Sequence, residues 1–229
     1  MNKAVFYGVG VGPGEPELLT IKAVRVLAEC DVIAAPQTNG ENTLALDIVR
    51  SAVDISNKHI ITLEFAMTRD KAEQQRHHIA AANKITEQLK NGKSVAMISL
   101  GDISLYSTFS YIFELVKAEG YNAELVAGVT SFCAVAAALQ VSLTEMNKPL
   151  HIIPSAGGQL SESLALKGTK VLMKTGRAVS SVKSALKECG LYEKASAVQN
   201  CGLPSEKIYR SLDDMDDQAG YFTTIIVKD

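Results

Sequence analysis

Short apolar runs rich in β-branched residues alternate along the chain with longer stretches whose apolar positions recur at helical spacing. Ala4 to Val9 precedes Leu18 to Glu29, Val32 to Ala35 precedes Leu44 to Ala52, and Ile60 to Leu63 precedes Lys71 to Leu89. Strand and helix in this alternation predict βαβ units, whose strands lie parallel beneath helices on both faces. Ser94 to Ser99 and Glu124 to Ala127 continue the order, each leading through a glycine turn into a helical segment, near Thr108 and near Ser131. On the segment from Lys71 to Leu89, Ile79, Ala82, Ile85 and Leu89 form the expected buried stripe, with Lys71, Glu73, Arg76, His77, Lys84 and Glu87 as a solvated face.

The pattern lapses around Glu145-Met146-Asn147-Lys148-Pro149, where proline biases the preceding residue away from helix. The expected division is a first domain of residues 1–145 and a second of residues 146–229. Beyond it come strand-like Leu150 to Ile153, Lys170 to Lys174, Ala195 to Gln199, Lys207 to Arg210 and Tyr221 to Val227, with a helix from Val179 to Cys189. The closing runs stand too close together for crossover helices, so part of the second sheet should be antiparallel. The fold class is therefore α/β, with a mostly parallel first sheet and a mixed second sheet.

Composition narrows the function. With 229 residues, 47% of them hydrophobic, the chain can bury a substantial core, and 23 Lys+Arg against 25 Asp+Glu leave no basic field for a nucleic-acid backbone. The 4 cysteines, Cys30, Cys133, Cys189 and Cys201, are far apart and form no C-x-x-C pair, which predicts reduced thiols in a cytoplasmic protein. The uncharged stretch from Leu125 to Thr144 is long enough to span a bilayer, yet Gly128, Thr130, Ser131, Gln140 and Ser142 interrupt it, so a buried helix is expected there. Reaching Gly8 so early, the amino terminus has no room for a secretory apolar segment.

Candidate chemistry collects where strands end. The first strand runs into Gly8-Val9-Gly10-Val11-Gly12-Pro13-Gly14, a loop that admits a close ligand or another backbone. Counted from Gly10, Glu15 stands where a dinucleotide loop needs glycine, and counted from Gly8, Pro13 does. Pro13 also removes an amide from any phosphate nest, and no Gly-Lys-Ser/Thr follows. The loop therefore suits a ligand without phosphate, or merely a tight turn packing strand on helix. Leu100-Gly101-Asp102-Ile103-Ser104-Leu105 follows the fourth strand, where Asp102 offers a lightly covered carboxylate or a helix cap. Gly128-Val129-Thr130-Ser131 repeats the order of strand, glycine, hydroxyl and helix, which favours the ligand reading for all three loops.

No side chain presents itself as a base or nucleophile. His59, His77, His78 and His151 lack the spacing and carboxylate company of a metal site or hydrolase base, and Cys133 lies in a small-residue helix typical of core packing. Neither a catalytic side chain nor a metal site is expected. Transfer of an already activated group between two aligned small molecules fits such a chain best.

At these residues the sequence resembles the tetrapyrrole methylases, two-domain α/β enzymes that use S-adenosylmethionine. Gly8 to Gly14 with Glu17-Leu18-Leu19-Thr20 and Ala28-Glu29-Cys30-Asp31-Val32 is similar to the family's amino-terminal signature, and Gly101-Asp102 to its Gly-Asp-Pro loop, with Ile103 in the proline's place. Tyr106 to Tyr111, Gly128 to Ala134 and Cys201 to Tyr209 most resemble its branch acting at carbon 20 of precorrin-2 or cobalt-factor II, in cobalamin biosynthesis. The resemblance implies a cofactor folded in a cleft between the domains, lined by Pro13, Leu100, Gly101, Asp102, Leu105, Thr130 and Ser131 and, further along, by Met173, Cys201, Thr223 and Thr224. It implies a homodimer as well. An anionic tetrapyrrole requires cations, for which Lys174 and Arg177 are the candidates. Pro36 stands where sirohaem-forming members have an aspartate, which leaves the electron-rich substrate carbon to attack the methyl unaided. The competing readings are methylation at another tetrapyrrole carbon and a non-enzymatic nucleotide- or ligand-sensing module, which would show phosphate-nest features.

Overall fold

A computed structural model describes residues 4–37, 44–66, 68, 70–154, 160–217 and 219–228, except for the side chain of Arg177. The chain divides into two compact units, Met1–Thr130 and Ser131–Asp229.

In the first unit β1 (Val5–Gly10), α1 (Ile21–Glu29), β2 (Val32–Gln37), α2 (Leu44–Ala52), β3 (His59–Glu64), α3 (Lys71–Lys90), β4 (Val95–Ser99), α4 (Phe109–Ala118) and β5 (Asn122–Val126) follow one another. The five-stranded sheet has the order β3-β2-β4-β1-β5, and every pairing is parallel. Alternation along β2 sorts the core: Ile33 and Ala35 face a cluster with Val26, Leu27, Ile48 and Val49, while Val32 and Ala34 face Ala82, Ile85, Leu89 and Ile112. Adjacent β1 and β4 send their chains in opposite directions, β1 towards β2 and β4 across β1 to β5. Such a switch point opens a crevice beyond the strand ends.

α3 departs from the expected stripe. Ala81, Ala82, Ile85, Thr86 and Leu89 are buried, but Ile79 is 42% exposed because it lies about 120° around the helix from Ile85. The expected solvated face is partly engaged too: His77 Nδ1 is 3.0 Å from Glu64 O, and Lys84 Nζ donates to Thr62 O at 3.0 Å. β3 is an edge strand, and these side chains occupy carbonyls that no neighbouring strand can reach.

The second unit holds α5 (Ser131–Leu139), β6 (Leu150–Pro154), α6 (Leu160–Leu164), β7 (Thr169–Met173), α7 (Val179–Glu188), β8 (Ala195–Gln199), β9 (Lys207–Tyr209) and β10 (Thr223–Val227). Its sheet runs β6-β7-β10-β8-β9, with β6 parallel to β7, β10 antiparallel to both neighbours and β9 antiparallel to β8. The mixed sheet is thus as expected. The compact units, however, part at Thr130, before the expected 145/146 division. α5 packs Val135, Ala136 and Leu139 on Val198 and Ile226 of the second sheet, and Arg210 donates to Leu139 O at 3.2 Å. At nine residues α5 is far short of a bilayer, and among the described residues no helix is long and apolar enough to cross a membrane.

Candidate functional site

Three of the expected segments meet beyond the carboxyl ends of β1, β4 and β5. Gly12 and Gly101 exchange backbone hydrogen bonds, Gly12 N to Gly101 O at 3.2 Å and Gly101 N to Gly12 O at 2.8 Å, and Val11 N donates to Ser99 O at 2.9 Å. Gly10 and Gly128 close the third side. A Cβ on Gly10 would stand 2.7 Å from Gly101 O and 2.8 Å from Gly128 N, and one on Gly128 would collide with Gly101 O. Only glycine lets these backbones touch. Pro13, Leu100, Gly101, Asp102, Leu105 and Thr130 are all carried on these three connections.

Asp102 fastens two of them. Its Oδ2 accepts the Gly128 amide at 2.8 Å and its Oδ1 the Ser104 amide at 2.9 Å, with the Ser104 hydroxyl donating to Oδ1 as well. Partial burial works against the charge, but the Ser104 hydroxyl, the Gly128 amide and the Ser104 amide outweigh it, so the carboxyl lies below its ordinary 3.8. The group is neither an open carboxylate nor a cap of α4; it is a brace between loops. Thr20 adds a second tie: its hydroxyl accepts the Ala23 amide at 3.1 Å, capping α1, and donates to Ala127 O at 3.4 Å. Sequence spacing showed neither tie, because Gly128 is 26 and Ala127 is 107 positions from its partner.

Two observations concern the ligand. The amides of Val11, Gly12, Gly101 and Gly128 are all spent on partners within the loops, and Pro13 has none, so these groups are not a phosphate cradle. Thr130 Oγ1, by contrast, is buried and has no hydrogen-bond partner among the described residues. A hydroxyl left so costs about 1–3 kcal/mol, which a ligand polar atom would recover.

In the second unit β10 runs antiparallel to β7 and β8, so Thr223 and Thr224 at its start lie at the end of the sheet where β7 finishes with Met173 and β8 with Gln199. Both threonines are buried, and Thr223 pairs with Gln199. The Thr223 hydroxyl donates to Gly220 O at 2.8 Å, and its carbonyl accepts the buried Thr175 hydroxyl at 3.0 Å. Cys201 sits half-buried in the β8–β9 connection and packs towards α5, whose first residue is Ser131. Lys174 follows β7 with φ +57°, while the side chain of Arg177 lies outside the described residues. His151, the best placed histidine in the sequence, has its Nε2 2.9 Å from Lys167 O in an architectural contact. Among the described residues no group of three His, Cys, Asp or Glu is placed to hold a metal ion.

Residues 5–215 match the tetrapyrrole (corrin/porphyrin) methylases. The chain belongs to this family. A probable cobalt-precorrin-2 C(20)-methyltransferase of Methanocaldococcus jannaschii is 40% identical over 178 residues, 76% of this chain and 75% of that protein. The cobalt-precorrin-2 C(20)-methyltransferase of Salmonella typhimurium is 32% identical over 227 residues, 97% of this chain and 95% of that protein. Among solved structures, a cobalt precorrin-4 methyltransferase superposes with a TM-score of 0.78 over 98% of this chain and 94% of its own, at 22% identity, a likeness of fold. In a tetrapyrrole methylase the spent amides and the orphaned Thr130 hydroxyl acquire a sense: S-adenosylmethionine carries no phosphate and has polar atoms for such a hydroxyl. The residues present fit that group.

Proposed function

We propose that this methylase transfers a methyl group from S-adenosylmethionine to carbon 20 of precorrin-2 or its cobalt-loaded form, in cobalamin biosynthesis. The substrate and the position rest on the two C(20)-methyltransferase relatives, one matched over almost the full length of both chains. The observation in the structure that carries the cofactor is the buried Thr130 hydroxyl, without a hydrogen-bond partner among the described residues, beside loops in which the amides of Val11, Gly12, Gly101 and Gly128 are already paired. Pro13, Leu100, Gly101, Asp102, Leu105 and Thr130, together with Ser131, Met173, Cys201, Thr223 and Thr224, are the residues we assign to holding it. S-adenosylmethionine supplies a methyl already activated as a sulfonium. What remains for the protein is alignment, worth up to about 7–11 kcal/mol of barrier when two reactants are held in reacting geometry.

Within that set the roles differ. Thr130 offers a hydroxyl, Pro13 and Leu105 offer apolar surface, and Gly101 offers a backbone that comes close. Asp102 acts by holding the Gly101 and Gly128 loops together. Lys174 and Arg177 are assigned to the substrate carboxylates. The reading takes the protein to be a cytoplasmic homodimer. Against the sensing-module alternative stand the amides of Val11, Gly12, Gly101 and Gly128, which are paired within the first unit and so are not turned to a phosphate.

The test is calorimetric titration with S-adenosylmethionine, followed by incubation with precorrin-2 and with cobalt-precorrin-2 and mass analysis of the product. The proposal expects saturable cofactor binding, weakened about tenfold by Thr130→Val, and a product heavier by one methyl group. No cofactor binding, or no methyl transfer to either substrate, would refute it.

A further inference from the structure

The turn that carries Leu105 is held at both ends. Asp102 ties its first end to the Gly128 loop, and Ile103, next along, is buried in the core of the first unit. At the far end the Ser107 hydroxyl accepts the Phe109 amide at 3.2 Å and lies 3.2 Å from the Ser99 hydroxyl, within hydrogen-bond distance. The Ser110 hydroxyl donates to Ser107 O at 3.3 Å. Phe109 opens α4 and has no room to shift, because it is buried and a Cβ on Gly8 would collide with its ring.

Between these ends stands Tyr106, with φ +50°. A bulky residue in the left-handed region is an outlier, and it relaxes unless its surroundings hold it there. Strain of this kind persists where neighbouring structure overdetermines it, and it concentrates at binding sites. Tyr106 directly follows Leu105, so its relaxation would redirect the chain at a residue assigned to the cofactor.

Ser99 anchors the turn to the sheet. It ends β4 opposite Gly10, and its carbonyl accepts the Val11 amide at 2.9 Å. One residue thus holds the glycine loop through its backbone and the Leu105 turn through its side chain. Helix capping does not account for the pair. A cap requires only the Ser107 oxygen and the Phe109 amide, and the bond to Ser99 satisfies no amide of α4.

We propose that Ser107, held by Ser99, is a positioning residue that keeps Tyr106 left-handed and so presents Leu105 to S-adenosylmethionine. This rests on the cofactor reading above. The pair acts through the backbone of the turn, as Asp102 does from the other end.

The test is calorimetric titration with S-adenosylmethionine at a temperature where melting curves show each variant folded. Ser99→Ala and Ser107→Ala should each weaken the cofactor about fivefold, and the double variant no more than either alone, because both remove the same bond. Ser107→Thr, which keeps the hydroxyl, should retain wild-type affinity. In a Tyr106→Gly background the left-handed residue needs no holding, so Ser99→Ala should there weaken the cofactor less than about twofold. Ser99→Ala leaves the cap on the Phe109 amide in place, and it carries the test by itself if Ser107→Ala does not fold. Lower melting temperatures with unchanged cofactor affinity overturn the proposal, make the pair merely structural and leave the methylase reading intact. Losses that add in the double variant, or a loss of undiminished size beside Tyr106→Gly, overturn it too. A wild-type chain that binds no S-adenosylmethionine overturns the proposal together with the cofactor reading.

Discussion

Asp102 bridges two loops through Gly128 N and Ser104, and its energetic signature follows from that geometry. Replacing it with alanine removes a charged acceptor from two amides and a hydroxyl, so stability should fall by about 1 kcal/mol after allowing for partial exposure, with cofactor affinity falling alongside. Because its carboxyl titrates below 3.8 in the fold, the contribution is complete above that pH and is lost as the pH falls through the lower folded value. Denaturant curves for wild type and Asp102→Asn should therefore differ at neutral pH and converge in strong acid. Cys30 gives a second prediction at this scale: burial, followed by the neighbouring Asp31, pushes its thiol up to about 12, whereas Cys133 and Cys189 are exposed. Iodoacetamide at neutral pH should label those two and leave Cys30 unmodified until the chain unfolds, as peptide mass mapping would show. Asp102 stood out in the sequence as a carboxylate beside a glycine. Its partner did not, since a bond across 26 positions leaves no mark in local spacing.

At the scale of elements, strand and helix alternation was legible almost throughout, because parallel strands buried on both faces read as continuous apolar runs such as Val95 to Met97. What the pattern missed were relations between elements. His77 and Lys84 looked like ordinary surface charges on α3, and only the sheet order shows that they face the carbonyls of an edge strand. Replacing both with alanine should cost about 1–2 kcal/mol in two lost hydrogen bonds and should raise self-association, measurable by light scattering, as the bared β3 edge pairs between molecules. The glycine contact is the stricter case. Gly10→Ala brings a methyl to 2.7 Å from Gly101 O, against backbone that cannot turn aside, and should destabilise the chain by roughly 2 kcal/mol or more in chemical unfolding. At Gly92 nothing lies within 4 Å and only its φ of +74° resists, so Gly92→Ala should cost about 1–2 kcal/mol and leave cofactor binding unchanged.

For the molecule as a whole, the lapse of pattern near Pro149 marked a change of architecture, from an all-parallel sheet to a mixed one. The compact units nonetheless part at Thr130, because α5 spends its apolar face on Val198 and Ile226, a choice of partner that its small, evenly apolar residues do not encode. Five-residue α6 is too short to carry a helical period and was not anticipated for the same kind of reason. The chemistry left few marks in local spacing, since no phosphate-loop, paired-base or metal-ligand pattern stands in the sequence. Resemblance then supplied the cofactor, and the orphaned Thr130 hydroxyl gave it a structural counterpart. Alignment in this site should direct one methyl group to carbon 20. Methyl-labelled S-adenosylmethionine, precorrin-2 or cobalt-precorrin-2 and the purified chain, with carbon NMR of the isolated product, test it most directly. A single labelled methyl on carbon 20 is the predicted result; a methyl on any other carbon, or none, would contradict it.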